Sequence, residues 1–236
     1  MKRKLTVALM VALVLAAAAT LAHGDFYVIP VARGTGTPIE SLPYRITAPG
    51  LYYLTKNLTS AEQGIIVNAD NVTIDLMGFT LTGPGTQSWS GVKPAANTEV
   101  RNGTITNFNQ GIWSDALAKN GTIAINLRVT KCGGGINVYQ GLVKDCVVSD
   151  NQGGTGILNF KGVVTGNTVF GNQTGLNVGR CTVTRNTVTS NLQHGIMTTH
   201  SVFDDNTVID NNTSGGSYQN IFEFSPTNVF GTNLAP

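Results

Sequence analysis

Apolar and polar residues alternate along most of the chain in short runs separated by Gly, Asn, Asp and Ser. Runs such as NVTIDLMGFTLTG (71–83) and CTVTRNTVTSN (181–191) alternate apolar and polar positions, which is the period of a β-strand with one buried face. β-Branched residues are dense in these runs, and turn-forming residues lie between them. Helical periodicity is absent after residue 24, so the pattern predicts an all-β fold.

Similar short sequence motifs recur at nearly constant spacing. Asn-Thr-Val stands in the middle of GNTVFGN (166–172), RNTVTSN (185–191) and DNTVIDN (205–211). A Gly followed by an aliphatic residue opens segments at intervals of 19 to 27 residues: Gly64, Gly91, Gly111, Gly135, Gly156, Gly175 and Gly195. Such segments are too short for a strand-helix-strand crossover, whereas a chain that winds in parallel register requires them.

Equivalent residues of successive turns in such a winding chain stack about 4.7 to 4.9 Å apart. One apolar residue precedes a short polar run near the middle of each later segment: Ile105, Val129, Val147, Val169, Val188 and Val208. Of these, Val169, Val188 and Val208 are expected to form an inward aliphatic ladder. The residues after the opening glycines, Ile112, Ile136, Ile157, Leu176 and Ile196, are expected to join this inward set.

Asparagines recur beside these valines. Two ladders of stacked amides are predicted, one of Asn167, Asn186 and Asn206 and one of Asn172, Asn191 and Asn211. Asn suits a corner because it tolerates left-handed backbone geometry and can both donate and accept hydrogen bonds. The alternative is glycosylation or sugar binding at the Asn-x-Ser/Thr triplets that begin at Asn57, Asn71, Asn102, Asn120, Asn172, Asn211 and Asn212. The ladder is preferred because such triplets arise by chance where Asn and Thr are abundant.

The repeats resemble those of right-handed parallel β-helix proteins related to pectate lyases, over residues 62–214. The resemblance implies an all-β, single-stranded right-handed parallel β-helix of about seven coils. Residues 25–61 are expected to form N-terminal cap strands, and residues 215–236 a C-terminal cap. The fold alone implies no function, because lyases, hydrolases, epimerases and binding proteins share it.

The N-terminus predicts export. Residues 1–24 have a basic start, an apolar run and small residues before Asp25, which is typical of a secretory signal peptide; a retained membrane anchor is the alternative. We therefore expect a secreted protein, extracellular or periplasmic, with no membrane span after cleavage. With 12% charged residues and a net charge of +2, the chain is expected to be a monomer that binds no nucleic acid.

Cysteine and histidine spacing gives no metal motif. Cys132, Cys146 and Cys181 are an odd number and differ in their offset from the repeats, so buried free thiols are expected. No CxxC motif or Cys/His cluster suggests zinc, and the sequence predicts neither a metal nor a cofactor.

Catalytic residues are sought where the resemblance implies them, among clustered carboxylates or beside an arginine base. Asp204 and Asp205 are an adjacent pair, and His194 lies one strand earlier. Their arrangement is similar to polygalacturonase motifs, but its order is reversed and other parts of the signature are missing. Arg180 is a further weak candidate. Asp145 and Asp150 are expected to replace Asn in the ladders instead.

A stripe of outward-pointing aromatic and cationic residues is the more specific candidate for a ligand-binding site. Residues two and four positions after each opening glycine should point outward, which places Trp113, Tyr139 and Phe160 on one face. Lys161, Arg180 and His200 follow at the strand ends. Aromatic rings beside cations suit stacking on sugar rings and hydrogen bonding to their substituents. The alternative is that a loop or the C-terminal tail covers Tyr139 and Phe160.

The function predicted from these patterns is binding of a polysaccharide or a cell-surface partner through an outward face of the coil, without catalysis. The alternative is a polysaccharide lyase or glycoside hydrolase whose site uses an unrecognised set of carboxylate, His and Arg side chains.

Overall fold

The fold is that of a computed structural model, which describes residues 36–85, 88–115, 120–151, 153–225 and 227–235. Every regular element in these ranges is a β-strand, which confirms the all-β prediction. The predicted signal peptide, residues 1–24, lies outside the described residues.

Twenty-five strands follow one another along the described chain. The N-terminal strands are β1 (Thr37–Ile39), β2 (Tyr44–Ile46), β3 (Gly50–Leu54), β4 (Leu58–Thr59), β5 (Ile65–Val67), β6 (Val72–Asp75), β7 (Thr80–Thr82) and β8 (Ser90–Lys93). The middle strands are β9 (Glu99–Thr106), β10 (Gln110–Trp113), β11 (Ile123–Thr130), β12 (Gly134–Tyr139), β13 (Leu142–Lys144), β14 (Val147–Ser149), β15 (Thr155–Phe160), β16 (Val163–Thr165) and β17 (Thr168–Phe170). The C-terminal strands are β18 (Thr174–Gly179), β19 (Thr182–Thr184), β20 (Thr187–Thr189), β21 (Ile196–Thr199), β22 (Val202–Asp204), β23 (Thr207–Ile209), β24 (Ile221–Glu223) and β25 (Val229–Phe230).

The strands wind into a right-handed parallel β-helix of about eight turns, close to the expected seven. A typical coil contributes one strand to each of three faces. Face 1 runs β1-β3-β6-β9-β11-β13-β16-β19-β22-β25, face 2 contains β4, β7, β14, β17, β20 and β23, and face 3 runs β2-β5-β8-β10-β12-β15-β18-β21-β24. The long strands β9 and β11 continue from face 1 into face 2, so these two faces form one sixteen-stranded sheet.

Aliphatic side chains stack inside the coil in register from turn to turn. On face 2 one buried column contains Leu58, Leu81, Ile105, Val129, Val148, Val169, Val188 and Val208. The equivalence of Val147 and Val169 that the spacing indicates is wrong by one residue, because Val148 pairs with Val169 while Val147 pairs with Thr168. A shift of one residue exchanges the two faces of a strand.

At several corners, a left-handed residue is followed by an inward-facing residue. At the corner between faces 1 and 2, Arg185 has a left-handed backbone (φ 56°) and Asn186 turns inward. The left-handed residue therefore precedes the ladder asparagine, which corrects the expectation that Asn itself takes that geometry. Asp145 and Asp150 are also left-handed and do not replace Asn; Cys146 and Asn151 occupy the inward positions in that coil.

Close stacking of the coils explains the opening glycines. A Cβ placed on Gly135 would overlap the carbonyl oxygen of Gly156 in the next coil. A larger residue would push the strands of face 3 apart, so the repeated glycine is required by the spacing of the coils.

The aromatic residues of the C-terminal segment lie against the last coil. Phe230 stacks on Phe203 with ring centroids 5.2 Å apart, and Phe222 packs against His194. Phe224 is 60% exposed and Phe230 42% exposed, so these rings cover the end of the core only in part.

Candidate functional site

The weak catalytic candidates are not brought together. The Nδ1 atom of His194 accepts a hydrogen bond from the backbone N–H of Gln219 at 3.1 Å, and its ring packs against Tyr218 and Phe222. Burial lowers the pKa of His194. This histidine is therefore a neutral packing residue at the edge of face 3.

Asp204 lies on a different face from His194. Its Oδ1 accepts the backbone N–H of Thr232 at 2.8 Å, and Asp205 occupies the left-handed corner position that follows. Arg180 lies at the corner between faces 3 and 1. Neither aspartate shares a hydrogen bond or ion pair with His194 or Arg180 within the described ranges, so no acid-base pair is assembled from these four residues.

The outward residues of face 3 form a continuous column. Register places Trp113 beside Asn137, and the column continues through Leu158, Asn177 and Met197. The Nζ of Lys93, which lies in the preceding coil, is 5.1 Å from the centroid of the Trp113 ring. A cation at this distance over an indole is stabilised by the electrons of the ring.

A second outward column contains the other two aromatic residues. Tyr139 and Phe160 pair in register, and their rings stack with centroids 5.9 Å apart and an interplanar angle of 14°. The next residue in the column is Gly179, where a Cβ would lie about 2.5 Å from the Phe160 ring. The absence of a side chain at Gly179 thus leaves room for Phe160, and both rings are half-buried on the outer surface.

Cations line the edge of the same face. Lys161, Arg180 and His200 follow the strands of three successive coils, and each has a left-handed backbone and an exposed side chain. Nδ1 of His200 is 2.7 Å from the Thr199 hydroxyl. Because successive coils are about 4.8 Å apart, these side chains form a row of hydrogen-bond donors next to Tyr139 and Phe160.

Sequence reasoning missed the N-terminal continuation of the first column. Arg45, Ile66 and Lys93 precede Trp113 in the same register. Lys93 lies two positions after the opening glycine Gly91, so the same counting could have assigned it to this column. Arg45 could not be assigned in this way, because its coil has no opening glycine.

These features define a class of protein, a right-handed parallel β-helix with an aromatic and cationic outer face. More particularly, the chain belongs to the NosD family, described as "Periplasmic copper-binding protein (NosD)", which matches residues 56–225. The family is periplasmic, which confirms the prediction of a secreted or periplasmic protein. No curated protein sequence matches the chain.

Two solved structures are similar to this chain. The enzymatically active domain of tailspike protein 2 from bacteriophage CBA120 is 12% identical with a TM-score of 0.50; the similarity covers 84% of this chain and 43% of that one. Full-length tailspike protein 2 from an Escherichia coli O157:H7 bacteriophage is also 12% identical, with a TM-score of 0.40 over 84% and 38% of the two chains. The chain thus spans less than half of each tailspike, and the likeness to the first structure shows the fold alone.

The copper in the family description requires a test against the residues present. Copper in proteins is held by imidazole, thiolate and thioether ligands. Within the described ranges no three His, Cys, Asp or Glu residues lie close enough to hold an ion. Cys132, Cys146 and Cys181 are buried, and burial raises the pKa of all three thiols. No cluster of His, Cys, Asp or Glu in the described ranges therefore fits a copper site.

No helix among the described residues is long and apolar enough to span a membrane.

Proposed function

We propose that this protein binds a polysaccharide non-catalytically in the periplasm, with the chain of sugars lying along face 3. One observation carries the proposal: Trp113, Tyr139 and Phe160 lie in adjacent outward columns of one parallel sheet, bordered by cations. A regular face of this kind presents similar contacts every 4.8 Å or so, which suits a ligand that is itself a repeating chain.

The chemistry of the face supports sugar binding. Tyr139 and Phe160 provide flat apolar surface on which the C–H groups of a sugar ring can stack. Lys161 and Arg180 can donate hydrogen bonds to hydroxyl or carboxylate oxygens on either side of that ring. Asn137, in the same column as Trp113, has a buried Oδ1 without a hydrogen-bond donor among the described residues. A sugar hydroxyl that donated to it would remove the energetic cost of this unsatisfied acceptor.

Binding to immobilised polysaccharides tests the proposal. In affinity electrophoresis, a panel of pectins, alginates and bacterial glycans should retard the purified protein. Replacing Trp113, Tyr139 and Phe160 together with Ala should weaken binding to the retained polymer about tenfold or more, because each aromatic stacking contact contributes about 0.5–1.5 kcal/mol.

A matched control removes apolar surface elsewhere. Val163 and Val202 are 38% and 46% exposed on face 1, and the double variant Val163→Ala/Val202→Ala should migrate as the parent protein does. Equal retardation of the triple variant and the parent would refute the proposal. Incubation with the same polymers should release no new reducing ends or unsaturated products; cleavage of any polymer would establish the alternative, a lyase or hydrolase.

A further inference from the structure

An open cavity of about 670 Å³ lies at the N-terminal end of face 3, outside the aromatic and cationic stripe. Its size falls within the range of small-molecule sites. It is formed by β2, β5 and β8 and the loops that lead into them, and its lining residues are Pro43, Arg45, Glu62, Gln63, Ile66, Asn68, Trp89 and Lys93.

The floor of the cavity has one apolar residue between two cations. Ile66 pairs with Arg45 on one side, and on the other side with Lys93. Two strand spacings separate Arg45 from Lys93, a backbone distance of about 9.5 Å. A six-membered ring placed over Ile66 would thus have a cation within reach at each edge.

The side of the cavity is held in place by the next coil. The Gln63 side chain donates to the Ser90 carbonyl at 2.9 Å and accepts the Ser90 N–H at 3.4 Å. Trp89, next to Ser90, is 41% exposed and turns part of its indole surface toward solvent at the cavity. A large aromatic surface left exposed beside fixed polar groups is typical of a binding site.

The two cations of the cavity have no ion-pair partner among the residues that the structure describes. Neither Arg45 nor Lys93 forms an ion pair with any residue in the described part of the chain, and Lys93 is held over the Trp113 ring instead. Glu62 brings a single negative charge to the lining. Two cations and one carboxylate favour a ligand with one negative charge and several hydroxyl donors over a densely charged polyanion.

We infer that this cavity binds a carboxylated sugar, a uronic acid residue, with its ring over Ile66 and Trp89 and its carboxylate at Lys93 or Arg45. Glu62 accepts hydrogen bonds from its hydroxyl groups. The inference deepens the proposed function and rests on it, because the cavity continues the column that contains Trp113 and would anchor one end of a bound acidic chain.

Tryptophan fluorescence reports directly on the cavity, because the chain has two tryptophans, Trp89 and Trp113. In a Trp113→Phe background, which keeps a ring beneath Lys93, the remaining signal comes from Trp89. Glucuronate and galacturonate should quench or shift this signal in a saturable way, and glucose at the same concentration should not.

Substitutions separate the cavity from the stripe. Lys93→Gln and Arg45→Gln should each weaken uronate binding about tenfold, the usual effect of losing one charge-assisted hydrogen bond. Lys131→Gln removes the same charge at an exposed corner distant in register from this cavity and should have no effect. The Tyr139→Ala/Phe160→Ala variant should keep uronate binding while polymer retention falls.

Three results would overturn the inference. They are uronate binding that survives both Lys93→Gln and Arg45→Gln, glucose binding as strong as uronate binding, and displacement of uronate by sulfate at equal concentration, which would make the cavity a general anion site. Absence of uronate binding in a protein that still retains neutral polymers would also overturn it and leave the proposed function standing. Uronate binding without any polymer retention would instead support the cavity and refute the stripe.

Discussion

At the scale of single residues, several corners of the coil pair a left-handed residue with an inward polar residue that follows it, as Arg185 does with Asn186. In one coil a cysteine, Cys146, takes the inward position instead of an asparagine. The Cys146 Sγ donates to the carbonyls of Lys144 and Ala124, and its backbone N–H donates to Asn167 Oδ1. The Asn167 amide donates to Thr165 and Val143 carbonyls in the same pattern. A thiol here thus replaces an amide donor.

The thiols predict a loss of stability at alkaline pH. Burial raises the pKa of Cys132 to about 11 and that of Cys146 to about 12, from an ordinary value of 9.0. Below pH 9 the thiols are protonated in both the folded and the unfolded chain, so the full contribution of these thiols to the free energy of unfolding is present. As the pH rises toward 11, only the unfolded chain loses them, and the free energy of unfolding falls by about 1.4 kcal/mol per pH unit for each thiol.

Denaturant unfolding between pH 8 and 11 measures this slope. The control is Cys132→Ser/Cys146→Ser, which keeps a donor at both corners but does not titrate in this range, so its slope should be shallower. Identical slopes in the two proteins would contradict the assignment. In the native protein at pH 8, a thiol reagent should react with neither residue until denaturant is added.

Part of this residue-level detail could be predicted from the sequence. Counting from the opening glycines identified Val169, Val188 and Val208 because the same letters recur at the same offset. Counting failed in the coil of Asp145 and Asp150, where Asp looked like a replacement for Asn. Aspartate also prefers left-handed corners, and Asp145 and Asp150 take such positions. The residues that follow are therefore one position later than the spacing indicates, so that Val148 and not Val147 is equivalent to Val169.

At the scale of elements, the strands are short and the corners join them through the asparagine ladder. Asn186 illustrates the connection. Its N–H and Nδ2 both donate to Asn206 Oδ1, at 3.0 and 2.9 Å, and Nδ2 also donates to the carbonyls of Val164 and Thr184. Its Oδ1 accepts two hydrogen bonds from Asn167. One side chain therefore satisfies polar groups in three successive coils.

The ladder predicts a large effect of Asn186→Ala. Several buried donors and acceptors lose their partner at once, and each unsatisfied group costs about 1–3 kcal/mol, so the free energy of unfolding should fall by at least about 3 kcal/mol. Asn177→Ala is the matched control, because Asn177 lies in the outward column of face 3. Chemical denaturation of both variants gives the comparison; equal stabilities would show that the ladder contributes nothing.

The outer faces were harder to predict than the corners. Repetition reveals which residues stack, but the distinctive chemistry lies where the repeats differ. Trp113 and Phe160 could be assigned to face 3 by counting. The cavity at Arg45 and Trp89 could not, because the coil of Arg45 has no opening glycine and part of the lining, such as Trp89, comes from loops.

At the scale of the whole molecule, each coil contacts its neighbours before and after it, so the β-helix behaves as a one-dimensional stack. Successive ladder residues such as Asn167 and Asn186 are 19 residues apart in this part of the chain. Thr155 and Thr174 are equivalent positions of adjacent coils. Removing the segment between them should therefore let the remaining coils close in register.

We expect the deletion of residues 156–174 to fold. It joins Thr155 to Gly175, so Asn191 takes the place of Asn172 beside Asn151, and Asn186 takes the place of Asn167 beside Cys146. Circular dichroism should retain its β-sheet signal, and thermal unfolding should remain a single transition at a lower temperature, because one set of coil interfaces is lost.

The control is a deletion of residues 156–165, which removes about half a coil. It shifts every later side chain out of register and should prevent folding. A folded half-coil deletion or an unfolded whole-coil deletion would contradict the one-dimensional description.

The same deletion separates the two proposed sites in one molecule. It removes Phe160 and Lys161 from face 3 but leaves the coils that form the cavity around Ile66 and Lys93 intact. Because coupling along the stack falls off beyond neighbouring coils, uronate should still change the fluorescence of Trp89 with unchanged affinity, while retention by a polysaccharide should weaken. Loss of the uronate response in a folded deletion variant would mean that the cavity depends on distant coils, contrary to this prediction.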